Sequence, residues 1–165
     1  MEEIRTTAAT KEDRYREILP QIHSLVSDES DPIANMANIT AALKQTFTEF
    51  SWVGFYLHED SSNELVLGPF QGKVACTRIG AGRGVCGTAF QRNETIIVPD
   101  VERFPGHIYC DGGTRSEIVI PVRHNARPVG VLDVDSYALH CFDTIDQRYL
   151  EEIVAIHAER ILRKK

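Results

Sequence analysis

The sequence is short of positive charge. In 165 residues, 18 lysines and arginines stand against 24 aspartates and glutamates, a formal net charge of −6. A nucleic-acid partner calls for a basic surface that displaces counterions from phosphate, so none is expected. Long apolar runs are also missing: nothing approaches the roughly 18 consecutive residues of a membrane span. The first residues, MEEIRTTAATKEDRYREI, mix charges from the second position and hold no apolar core of a secretory signal. The expectation is a soluble cytoplasmic protein without membrane contact. In that reducing setting, Cys76, Cys86, Cys110 and Cys141 point to redox chemistry, metal binding or packing before structural bridges. Repeats, low-complexity tracts and linkers are absent too. With 42% hydrophobic residues the chain reads as one globular domain with a real core.

What is present is a change of period along the chain. Tyr15, Ile18, Leu19, Ile22 and Val26 have helical spacing, with Pro20 expected to kink or split the helix. A second helix is expected from near Asp31, with Pro32 in its first turn, toward Phe47. The N-terminal helices thus cover about residues 11–47. Strand patterning follows over about 51–137. In SWVGFYLHE, Val53, Phe55 and Leu57 face one way and Trp52, Gly54, Tyr56 and His58 the other. NELVLGPF, VACTRI and ETIIV read as further strands, and GVCGTAFQR as a short helix. EIVIPVRH and PVGVLDVDSY flank the turn-like NARP as a hairpin. A last amphipathic helix is expected over about 144–163, with Thr144 and Gln147 at capping-box spacing and cations at its end. Helices at both ends around consecutive strands give an α+β fold with an antiparallel sheet.

Several clusters carry chemistry, each with a plainer reading beside it. The glycines of GAGRGVCGTAF have neither the βαβ context of a dinucleotide site nor a P-loop lysine, so a flexible or tightly turning loop carrying Cys86 is the better reading. His107 and Cys110, with Cys76 and Cys86, offer four zinc donors but not the close cysteine pairs usual for structural zinc. Cys141 has no acid, base or thiol near it in sequence and reads as packing. Asp133 and Asp135 interrupt an apolar strand on one face, which they share with Val129 and Val131; a pocket there would raise their pKa values. Glu117 stands at the head of the neighbouring strand. An even hairpin turn sends it to the opposite face, whereas an odd turn, such as Asn125 to Arg127, pairs it with Asp135. Convergence of the three acids therefore requires an odd or bulged turn. Trp52 and its same-face neighbour Tyr56 are core aromatics or the wall of a pocket for an apolar or sulfur-containing ligand. If Cys110 is a nucleophile, Cys76 and Cys86 are available to resolve its sulfenic acid as a disulfide. Acids near a thiolate raise its pKa, so they make sense only as proton donors or as partners of a cationic substrate.

The stretches SWVGFY, LGPFQGKVAC, GRGVCGTA, PDVERFPGHIYCD, SEIVIPV and VLDVDS, spanning nearly everything from Ser51 to Asp143, resemble the free methionine-(R)-sulfoxide reductase family. The resemblance implies a single GAF domain over residues 1–165. It also implies reduction of free, not peptide-bound, methionine (R)-sulfoxide by a homodimer that thioredoxin recycles; no cofactor and no metal are expected. Matched by motif, the catalytic cysteine falls on Cys110, the main resolving cysteine on Cys76 and an auxiliary one on Cys86. Glu117, Asp133 and Asp135 fall on the acidic substrate residues, and Trp52, with Tyr56 beside it, on the aromatic wall. The rival from another class is a GAF module that binds a small ligand and catalyses nothing, since fold alone does not fix function.

Overall fold

A computed structural model of the chain describes residues 4–161, apart from the side chains of 157 and 159–161. The chain runs through α1 (Lys11–Ser27), α2 (Pro32–Thr46), β1 (Trp52–Glu59), β2 (Glu64–Gln71), β3 (Arg78–Gly80) and α3 (Gly84–Arg92). It continues with β4 (Ile96–Val98), a 3-10 turn at Val101–Arg103, β5 (Ser116–His124), β6 (Arg127–Ser136) and α4 (Thr144–Ile161). The strands form one sheet in the order β3-β2-β1-β6-β5-β4, with every pairing antiparallel. The fold is α+β, as expected from the sequence.

The sheet has two apolar faces because its strands alternate. Val53, Phe55, Ile118, Ile120, Leu132 and Val134 face α1, α2 and α4. Trp52, Tyr56, Val119 and Val131 face the other way, toward α3 and the loops around it. Local chemistry starts the helices where it should. The Thr10 side chain accepts from the Asp13 N–H at α1, and Asp31 Oδ1 accepts from the Ile33 and Ala34 N–H groups at α2, with Pro32 at its first position.

Four expectations need correction. Pro20 does not split α1, which continues through it to Ser27; Pro20 lies on the exposed side, where water can serve the carbonyl that lacks a donor. VACTRI is a strand only from Arg78, because Val74 to Thr77 form a loop held at Cys76. The cap of α4 is one residue earlier than the Thr144–Gln147 spacing suggested. Asp143 Oδ1 accepts from the Ile145 N–H (2.7 Å) and Asp146 Oδ2 from the Asp143 N–H (2.9 Å), while the Gln147 side chain turns to Glu151. Carboxylates outcompete a hydroxyl and an amide for these N–H groups. The end of α4 near 163 and the terminal lysines lie outside the described residues. Lastly, Val129 does not share a face with Val131. It is the extra residue of a bulge and packs with the helical core instead.

Asp146 couples the ends of the chain. Fully buried, it takes Lys11 Nζ and the Tyr15 hydroxyl (2.9 Å), and Tyr15 stacks on Tyr149 with ring centres 5.0 Å apart. Removing the carboxylate leaves the Tyr15 hydroxyl and the Asp143 N–H without their acceptor and strips Lys11 of its buried partner, leaving it Asp143 and the Cys141 carbonyl. Asp146→Ala is expected to lose about 3 kcal/mol of stability, measured by urea unfolding. A loss below about 1 kcal/mol, the level of an exposed ion pair, would contradict this role.

Candidate functional site

The hairpin settles which way the acids face. Asn125 and Ala126 both have positive φ (49° and 65°) and make a tight two-residue turn between His124 and Arg127. Left alone, that turn would put Glu117 on the wrong face. The register shift after Val122, where Val129 is left over, restores Glu117 opposite Asp135 and Val119 opposite Asp133. Trp52 lies opposite Asp135 from the other side. One row therefore crosses three strands as Trp52, Asp135, Glu117, and the next crosses as Gly54, Asp133, Val119.

The absence of a side chain at Gly54 gives the indole its place. A Cβ there would run into the Trp52 ring. Trp52 lies over this gap, stacks on Phe70 (5.4 Å between ring centres) and Tyr56 (5.9 Å), and donates its Nε1–H to the Lys73 carbonyl (3.0 Å). The Tyr56 hydroxyl donates to the Cys76 carbonyl (2.9 Å). Both aromatics thus wall the pocket and also hold the loop that carries Cys76.

Cys76 and Cys110 are joined by a disulfide, with Cα atoms 5.3 Å apart, at the rim of this pocket. Cys86 is on the short helix expected over GVCGTAFQR, after glycines that turn tightly. It sits on the first turn of α3, 4% exposed, with its S–H directed to Glu117 Oε1 at 3.9 Å. The turning glycines have φ of +78° at Gly82 and +60° at Gly84. The four zinc donors weighed in the sequence do not assemble, since two are bonded to each other. Among the described residues, the donor atoms that do come together are those of Cys86, Glu117 and Asp133, all within 4.8 Å of one another. Cys141 lies apart, packed on the helical core.

The three acids share one electrostatic problem. Burial first, and the neighbouring acid second, hold Glu117, Asp133 and Asp135 well above the ordinary carboxylate range. A carboxylate oxygen of Glu117 and one of Asp133 lie within 4.8 Å of each other, and Asp133 Oδ1 is buried without a hydrogen-bond partner. Burial also pushes the Cys86 thiol well up, with Asp133 and Glu117 adding to it. His107 completes the set. Its Nε2 lies 3.2 Å from Glu117 Oε2, and burial lowers its pKa. A lowered imidazole pKa and a raised carboxyl pKa both favour a neutral hydrogen bond here over an ion pair. The sequence offered His107 only as a metal ligand, through its H-x-x-C spacing with Cys110. Its contact with Glu117 depends on how the loop folds back over β5.

A carboxyl held protonated by the fold adds stability fully present at pH below its unfolded pKa, and loses it as pH rises through the folded pKa. Glu117→Gln cannot ionise and keeps the shape. Its stability relative to the wild type should therefore rise with pH from the ordinary carboxylate range upward, from about pH 5, in urea unfolding. A constant difference across that window would mean that Glu117 is charged throughout.

The GAF domain family profile matches residues 30–160. The chain is 55% identical over 155 residues to GAF domain-containing protein A of Dictyostelium discoideum, covering 94% of this chain and 97% of that one. It is 43% identical over 152 residues to the free methionine-R-sulfoxide reductase of Escherichia coli, covering 92% and 90%. The free methionine-R-sulfoxide reductase of Neisseria meningitidis, solved in complex with its substrate, superposes with a TM-score of 0.95 at 50% identity, covering 98% of this chain and 96% of that one. The chain belongs to the GAF domain family, in the group that includes the free methionine-R-sulfoxide reductases.

Proposed function

We propose that the protein reduces free methionine (R)-sulfoxide to methionine, with Cys110 as nucleophile, Cys76 as resolving thiol and Cys86 as an auxiliary one. The observation that carries the reading is a cysteine pair close enough to bond, at the rim of a pocket with an aromatic wall and an acidic floor. The Cys110 sulfur attacks the substrate sulfur, and one oxygen atom passes between them. Cys110 thiol and sulfoxide become Cys110 sulfenic acid and methionine. The Cys76 thiol then condenses with the sulfenic acid, releasing water and forming the Cys76–Cys110 disulfide. Thioredoxin's dithiol reduces that disulfide and is itself oxidised, which suits a cytoplasmic homodimer in a reducing compartment.

The acids divide the remaining work by depth. Glu117 and Asp133, 5% and 7% exposed, are placed to donate a proton or hydrogen bond to the sulfoxide oxygen as it gains charge. Asp135, less deeply buried in the row beside Trp52, suits the substrate ammonium, a group that peptide-bound methionine sulfoxide lacks. The positive charge of that ammonium favours the ionised carboxylate against the burial and the Asp133 charge that raise its pKa. Trp52 and Tyr56 receive the methyl group and sulfur. The rival, a ligand-sensing module, gives the cysteine pair no task.

The test is turnover of the (R) epimer, the (S) epimer and the N-acetylated compound with thioredoxin. Turnover confined to free (R)-sulfoxide is expected, and none by fully reduced protein would reject the reading. Cys110→Ser should abolish even one turnover. Cys76→Ser should form one methionine per chain and then stop; loss of that first turnover would reverse the two roles. Glu117→Gln should lower kcat by about 100-fold, while Asp135→Asn should act mainly on KM. The opposite split would exchange their assignments.

A further inference from the structure

The chemistry above leaves one group of polar side chains without a task. Cys76 lies in the loop after β2 and Cys110 in the loop before β5, and neither loop has regular structure around its cysteine. Asp111, next to Cys110, links the two. Its Oδ2 accepts a hydrogen bond from the Tyr137 hydroxyl at 2.6 Å and lies 3.4 Å from Lys73 Nζ; its Oδ1 accepts from the Gly113 N–H at 3.0 Å. Lys73 belongs to the Cys76 loop, and its ammonium sits over the Tyr137 ring, 5.0 Å from the centre. Tyr137 follows directly on Ser136, the end of β6, and so brings a fixed point from the sheet. Gly113 makes room for it, since a Cβ there would come within 2.9 Å of the Tyr137 ring.

We infer that Lys73, Asp111 and Tyr137 form a clasp that holds the Cys76 loop against the Cys110 loop, and so are positioning residues for disulfide formation. The inference rests on the proposed roles of Cys76 and Cys110. The three residues are partly exposed, with Lys73 at 65% and Tyr137 at 47%, so their worth to the whole fold is small. Their leverage is local. Each contact bridges the two loops or ties one of them to the sheet end, and confining two thiols near each other raises the effective concentration of one at the other. The clasp also helps to decide which thiol resolves Cys110. Cys86 is buried against protonated acids and hydrogen-bonded as a thiol, a poor nucleophile, whereas Cys76 is carried to Cys110 by a loop with three anchors: Lys73 on Asp111, Trp52 on the Lys73 carbonyl and Tyr56 on the Cys76 carbonyl. Coupling between two sites is reciprocal, so the disulfide should tighten the clasp as the clasp favours the disulfide.

The experiment needs no methionine sulfoxide, so its failure is separable from failure of the reductase reading. The dithiol–disulfide equilibrium of Cys76 and Cys110 is titrated with reduced and oxidised dithiothreitol and read by alkylation and mass spectrometry. The proteins are the wild type, K73Q, Y137F, D111N and K73Q/D111N. Each single variant should shift the equilibrium toward the dithiol by about threefold to tenfold. The double variant should shift it by less than the product of the two single shifts, because both remove the Lys73–Asp111 contact and only K73Q also removes the cation from the Tyr137 ring. A second arm follows substrate: the first turnover should be retained in all variants, while the Cys110 sulfenic acid, trapped with dimedone, lives longer than in the wild type. Equilibria within twofold of wild type in all variants, simple additivity in the double variant, or loss of the first turnover would each overturn the positioning role.

Discussion

One extra residue governs the site. The tight Asn125–Ala126 turn and the acids' common face are incompatible in a regular hairpin, and the bulge at Val129 reconciles them. A one-residue slip in a strand inverts every side chain beyond it. Without the bulge, Glu117 would point into the helical core and its apolar neighbours Ile118 and Ile120 into the pocket. With it, the helical core keeps Ile118, Ile120, Leu132 and Val134, and the other face gains three acids beside Trp52. Packing on one face and chemistry on the other are therefore fixed by the same local irregularity.

Three carboxyls in a row would be destabilising if all were charged. Burial makes the neutral forms the stable ones, and Glu117 shows how the neutral state is served: it meets a thiol on one oxygen and an uncharged imidazole on the other. This answers the objection that acids spoil a thiolate. The acids act on the thiol that they meet, Cys86, whose pKa they help to raise, and a carboxyl that keeps its proton has it ready for an oxygen that gains charge. Cys86 is the thiol that meets the acids directly, and it is the one burial keeps protonated.

Much of this was legible in the sequence, for reasons that differ by element. Alternation in SWVGFYLHE and EIVIPVRH reports burial directly, so the faces of Trp52, Tyr56 and Glu117 follow from it. The acids' convergence could be stated as a condition on the turn, but the bulge itself leaves no composition signal. Pro20 and the α4 cap were misread because each depends on exposure or on competition between neighbouring acceptors, which a periodic pattern does not encode. The placement of Cys86 under the acids, the His107–Glu117 contact and the Asp111 clasp join residues from different loops. Such contacts are set by how loops close over the sheet, and spacing along the chain carries little of that.

Uncharged acids at neutral pH are the centre of this picture, and infrared spectroscopy reads their charge directly. In the reduced protein, a protonated-carboxyl C=O stretch should be present in the wild type and diminished in Glu117→Gln and in Asp133→Asn. Wild-type spectra with carboxylate bands alone, unchanged in the protonated region by either substitution, would show charged acids beside the thiols and contradict the proposed division of labour.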